Sequence, residues 1–118
     1  GTPNTSANYD IAGKLVRSVG SFNNSGGDNL TSASLLADNT GTNTGEEVNL
    51  INYIFNANNS SEFTFFTTEN AYLNNSSNLN GLQGGGVFTV ASSVDGVQYF
   101  FSSGNIASGT FTLYGLKK

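Results

Sequence analysis

"EEVNLINYIFN", Glu46 to Asn56, decides the fold class. In an extended chain, successive side chains project to opposite sides. Val48, Leu50, Asn52 and Ile54 then share one face, and Ile51, Tyr53 and Phe55 share the other. β-Branched and aromatic residues of this kind fit a pleated surface. A strand that is apolar on both sides needs two covers. One comes from the packing of its own sheet, the other from a second layer or a neighbouring subunit.

Working outward, the same alternation recurs. "KLVRSVGSF" (Lys14–Phe22) sends Leu15 and Val16 to opposite faces. "EFTFFTT" (Glu62–Thr68) sets Phe63 and Phe65 against Thr64 and Phe66. "GVFTVASSV" (Gly86–Val94) places Phe88 and Val90 together. "VQYFFS" (Val97–Ser102) places Val97, Tyr99 and Phe101 opposite Gln98 and Phe100. In "GTFTLYG" (Gly109–Gly115), Phe111 and Leu113 oppose Thr110, Thr112 and Tyr114. Helical periodicity is poor throughout, and "LTSASLLADN" (Leu30–Asn39) reads as strand or irregular chain.

Between these runs lie turn-formers: "NNSGGDN", "DNTGTNTG", "NANNSS", "NNSSNLNGLQGGG", "VDG" and "SSGN". Gly and Asn tolerate positive φ, and Asn, Asp and Ser cap local turns. Asp95-Gly96 suits a two-residue hairpin turn between apolar strands. About six to eight short strands at this spacing predict an all-β fold, an antiparallel β-sandwich of jelly-roll type. Residues 1–118 form one such domain. The start "GTPNTSANYD" has no methionine, which suits the C-terminal part of a longer chain.

Composition narrows the function. The 118 residues include no cysteine and no histidine. Disulfides, cysteine nucleophiles, histidine triads and the common zinc sites are therefore excluded. Net charge is −4 with four basic residues, so no clustered Lys/Arg surface exists to bind nucleic acid. Charged residues are 10% of the chain, against roughly 25% in an ordinary domain. Aromatic residues reach 12%, nine of them Phe, which argues for an ordered fold over a disordered polar tract. No apolar run approaches a membrane span, and no membrane insertion is expected.

Candidate chemistry is sparse. Glu46 and Glu47 are adjacent and point to opposite faces of a strand, so they cannot cooperate as an acid/base pair. Glu62 and Glu69 flank an aromatic strand and read as solvated strand ends. "GLQGGG" (Gly81–Gly86) lacks the Lys-Ser/Thr of a phosphate loop and reads as a glycine hinge entering a strand at Val87. "DNTGTNTGEE" (Asp38–Glu47) offers oxygen ligands for calcium, but its spacing fits no EF-hand. Asn4, Asn23, Asn29, Asn58, Asn59, Asn74 and Asn75 match the glycosylation sequon, as Asn/Ser-rich loops do by chance. Aromatic faces stack on sugar rings and amides bond sugar hydroxyls, which makes Tyr9 and Tyr72 candidate glycan contacts. No catalytic residue, cofactor or metal is expected.

The ending "FSSGNIASGTFTLYGLKK" resembles the C-terminal signature of a group of tailed-bacteriophage virion proteins. Gly109-Thr110 and Leu113-Tyr114-Gly115-Leu116-Lys117 carry the likeness. "LINYIFNANNSSEFTFFT" (Leu50–Thr67) resembles that family's central strand pair, and "ANYD" (Ala7–Asp10) resembles a motif near its start. The resemblance implies a non-enzymatic virion structural protein: a capsid decoration, head fibre or tail fibre domain, built as a homotrimeric β-sandwich. Its partners would be other virion proteins and a host-surface glycan. It also implies that Gly109, Thr110, Phe111, Leu113, Tyr114 and Gly115 are architectural. In this reading they form a central strand that closes the fold, so deleting Leu113–Lys118 abolishes soluble expression. The competing reading is a carbohydrate-binding module or lectin-like adhesin domain.

Overall fold

The decisive stretch does form a strand, and its alternation organises the sheet. The computed structural model describes residues 1–34 and 39–116. These described residues form five strands: β1 (Tyr9–Arg17), β2 (Asn23–Leu30), β3 (Val48–Phe55), β4 (Thr64–Leu73) and β5 (Leu79–Phe88). They make one antiparallel sheet in the order β2-β1-β5-β4-β3. The fold is all-β, and no helix among the described residues is long and apolar enough to cross a membrane.

Turn chemistry sets the hairpins. Between β4 and β5, the Asn74 side-chain oxygen accepts bonds from the backbone N–H of Ser76 and of Asn78, each at 3.0 Å. Ser77 takes a positive φ of 55° there. This Asx-type closure brings Leu73 opposite Leu79 and fixes the register of both strands. Between β1 and β2 the register shifts near Tyr9 and Ile11. The Asp10 carboxylate fills the irregularity by accepting the backbone N–H of Asn29 at 2.7 Å.

Register then decides which residues meet. Leu15 pairs with Leu82, Ile11 with Gly86, and Tyr72 with both Val48 and Asn80. Ile11, Leu15, Tyr72 and Leu82 form the buried cluster, with Leu30, Ala33, Val48 and Phe66 packed against it. Burying one such side chain contributes roughly 1.5–3 kcal/mol. A cluster of four is a small core for a chain that must oppose the entropy of ordering about a hundred residues.

The glycines 84–86 lie inside central strand β5 rather than in a hinge before it. A Cβ on Gly85 would stand 2.5 Å from the Phe66 carbonyl oxygen of β4, and one on Gly86 would stand 2.5 Å from the Asp10 carbonyl oxygen of β1. One on Gly84 would collide with the Ala12 carbonyl. β5 is thus pressed between both neighbours, and only residues without a Cβ allow that approach.

Several expectations need correction. "NNSGGDN", read as a loop, lies in β2, because pairing with β1 supplies the hydrogen bonds that its composition does not predict. The described residues form one sheet, not two facing ones. From Thr89 to Leu116 there is no strand, so neither the hairpin at Asp95-Gly96 nor the closing strand over residues 109–115 is formed. Of the half-expected "LTSASLLADN" stretch, residues 31–34 are irregular and residues 35–38 lie outside the described residues.

The segment after β5 is tied down at a few points. Thr89 N–H donates to the Asn8 carbonyl at 2.8 Å, and Val94 N–H donates to the Ala57 carbonyl at 2.6 Å. Asn52 Nδ2 donates to the Tyr99 hydroxyl at 2.8 Å, which brings Tyr99 to the inner side of β3. Beyond that the chain runs exposed from Phe101 to Leu116. The radius of gyration, 14.9 Å, exceeds the value of about 13.5 Å for a tightly packed chain of this length.

Candidate functional site

The outer face of the sheet carries the most developed surface. Its cross-strand row runs Phe55, Phe65, Val87, Asp10 over β3, β4, β5 and β1. The next row runs Tyr53, Thr67, Gly85, Ala12. Gly85 leaves a gap in the side-chain layer, and an open hollow of about 380 Å³ forms over it. Phe55 and Phe65 wall one side, and Asp10 and Asp28 stand on the other. Both phenyl rings are about half exposed. An exposed apolar ring beside carboxylate acceptors can stack on the C–H face of a sugar while the oxygens bond its hydroxyls.

A second hollow, about 550 Å³, lies within the C-terminal segment between Val97, Tyr99, Ile106, Gly109 and Phe111. The Tyr99 and Phe111 rings are 5.7 Å apart. Gly109 and Phe111 line this hollow, whereas Thr110, Leu113, Tyr114 and Gly115 stand in solvent. Leu113 is 93% exposed. The six residues expected to be architectural are therefore exposed, and none lies in a strand.

The candidate glycan contacts fare differently from expectation. Tyr72 is 2% exposed, its hydroxyl lies 3.5 Å from Asn80 Nδ2, and its ring can present no face to a ligand. Its place in the core corrects the sequence reading: Tyr72 shares the inward side of β4 with Thr64, Phe66, Thr68 and Asn70. Tyr9 is half-buried, donates its hydroxyl to the Asn4 carbonyl at 3.1 Å and lies 5.1 Å from the Phe88 ring. Burial pushes its pKa above the usual tyrosine value. The two tyrosines do not meet in a shared binding surface. Phe55, Phe65, Asp10 and Asp28 do, and sequence reading missed them as a group because their proximity depends on strand register. The alternating exposed side of "INYIF" was the signal available for Phe55.

The carboxylates serve the architecture. Glu46 Oε2 accepts the backbone N–H of Asn43, and Oε1 accepts the Ser77 hydroxyl, each at 2.8 Å. These bonds favour the ionised form and hold the Glu46 pKa below the ordinary carboxylate value. Glu69 Oε1 accepts from Gln83 Nε2 at 2.7 Å across β4 and β5. Among the described residues, no three acidic groups stand close enough to share a metal ion. Asp38, at the head of the calcium-like stretch, lies outside them.

Buried polar atoms mark the inner face. Thr64 Oγ1, Thr68 Oγ1, Asn52 Oδ1 and Asn80 Oδ1 are buried without a partner among the described residues. Asn70 uses its side-chain oxygen to accept the Leu82 N–H at 2.8 Å. Comparison with known proteins returns no matching family model, no matching curated protein and no matching solved structure.

Proposed function

We propose that this chain is a non-enzymatic structural domain of a tailed-phage virion, acting as a capsid decoration, head fibre or tail fibre element. The reading rests on the terminal Gly-Thr…Leu-Tyr-Gly-Leu-Lys motif at Gly109–Lys117. The observation that carries it furthest is the amount of apolar surface left open on one chain. Ile51, Tyr53, Phe55 and Phe65 on the sheet, and Phe111, Leu113, Tyr114 and Leu116 beyond it, are all exposed. Surfaces of this kind are at home in an assembly. A homotrimer bound to other virion proteins, within an extracellular particle, covers them. Mass spectrometry of purified phage particles from a lysate of the source host tests the reading. Its peptides are expected at structural stoichiometry, and their absence from intact particles overturns it.

The lectin-like reading is favoured by one feature, the outer hollow between the Phe55–Phe65 wall and Asp10 and Asp28. A glycan array separates the two. Binding that is lost in Phe65→Ala with the fold retained supports glycan recognition, alone or as the virion domain's host contact.

A further inference from the structure

The open edge of the sheet and the exposed C-terminal segment are complementary. β3 is an edge strand whose neighbour in the sheet is β4. Edges of stable monomers are usually blunted by proline, charge, a bulge or a covering loop. Val48–Phe55 contains no proline, glycine or charge, and its register with β4 runs without a shift from Val48↔Tyr72 to Phe55↔Phe65. The opposite edge, β2, is built from "NNSGGDNL" and carries a register shift and Asp28. Of the two edges, β3 is the apolar one.

The C-terminal segment has the matching defect. Residues 110–116, "TFTLYGL", alternate like a strand and are exposed at every position. Within its own chain this stretch is held at Phe111 against Tyr99 and makes no strand pairing.

We propose that residues 110–116 of one copy add to β3 of a second copy as a sixth, antiparallel strand. One register matches the large side chains. With Leu113 opposite Ile51, Phe111 falls opposite Tyr53 on the outer side. On the inner side Thr112 meets Asn52, Tyr114 meets Leu50 and Leu116 meets Val48, while Thr110 falls opposite Ile54. Apolar faces apolar and, at Thr112, hydroxyl faces amide, as directly opposed strand residues prefer. A slip of one residue sets Leu116 against Glu47 or Asn49. The addition supplies the outer side of β3 with its missing apolar neighbours and removes the open edge. A closed ring or a reciprocal pair leaves no copy unpaired. This inference does not depend on the virion reading, since strand donation serves any assembly of this chain.

Because the chain has no cysteine, paired substitutions report the contact directly. Ile51→Cys on one chain and Leu113→Cys on a second, mass-tagged chain are co-expressed and oxidised. The expected product is a disulfide joining the two chains, with none when Gln83→Cys replaces Ile51→Cys. Native mass spectrometry of the cysteine-free chain is expected to give a multiple of 12.3 kDa. Leu113→Asp is expected to weaken association by roughly tenfold or more while the far-ultraviolet strand signal stays. A single-chain mass at micromolar concentration overturns the proposal. So does a disulfide confined to one chain in the Ile51→Cys/Leu113→Cys double variant, which places the segment on its own sheet.

Discussion

Residues 9–88 and residues 89–116 are made from the same residue types and behave oppositely. Both alternate apolar and hydroxyl side chains, and both are punctuated by Gly, Asn and Ser. The first region is a five-stranded sheet with a buried cluster; the second has no strand and is largely exposed. The difference is the presence of a partner. Each strand of the sheet finds a neighbour through a connection of the same chain, whereas "TFTLYGL" has an equal strand pattern and no neighbour. An alternating stretch is able to pair; whether it does depends on an edge being within reach.

Substitutions can break this contrast from the sheet side first. Tyr72→Ala removes the most buried large side chain and is expected to cost about 3–5 kcal/mol, read as a lower urea midpoint. A loss under about 1 kcal/mol would mean that the cluster around Leu15 and Leu82 is not the centre of stability. Gly86→Val drives a side chain toward the Asp10 carbonyl and the Phe66 ring, with an expected cost of about 1–3 kcal/mol in the same assay. An unchanged midpoint there would show that β5 is not held tightly between β1 and β4.

The sign reverses at Thr68. Its hydroxyl is buried without a partner, so the near-isosteric Thr68→Val is expected to stabilise the sheet by about 1 kcal/mol. A destabilised variant would reveal a bond to that oxygen. From the other region, removing residues 110–118 is expected to leave the strand signal in circular dichroism, because residues 110–116 are exposed and form no strand in their own chain. Loss of all soluble protein would instead restore the expectation of a closing central strand.

The smallest effect concerns pH. Glu46 has a folded pKa below its ordinary value of 4.5, through the Asn43 N–H and the Ser77 hydroxyl. Its contribution is therefore complete above the unfolded value and is lost as pH falls through the depressed one. Glu46→Gln is expected to lower the melting temperature slightly near neutral pH and to flatten the acid limb, so that the two proteins converge at low pH. An identical limb in both proteins would show that the link from Glu46 to the β4–β5 turn carries no stability.

The legible parts of the fold were those with strong local signals. Glu46–Asn56 and Glu62–Thr68 show alternation rich in Ile, Phe and Tyr; the first became β3 almost in place, and the second covers the first half of β4. β2 was hidden because "NNSGGDNL" has turn composition, and its strand state comes from the β1 backbone beside it. The glycines of β5 were misplaced for a related reason. Their role is close approach, and closeness is a property of the neighbours. Tyr72 read as a surface aromatic because a lone tyrosine among Asn and Ala gives no sign of which face it joins. The outer hollow joins Asp10 and Asp28 to Phe55 and Phe65 across all five strands, a juxtaposition that no local window contains.

Residue order by itself determined that this chain is all-β and that it has no cysteine or histidine chemistry. Those conclusions follow from side-chain chemistry and a two-residue period, both local properties. Strand order, the small core around Tyr72 and the unpaired state of residues 110–116 were decided only in three dimensions. Backbone groups bond to whatever chain lies beside them, and in the sheet that neighbour comes from distant sequence.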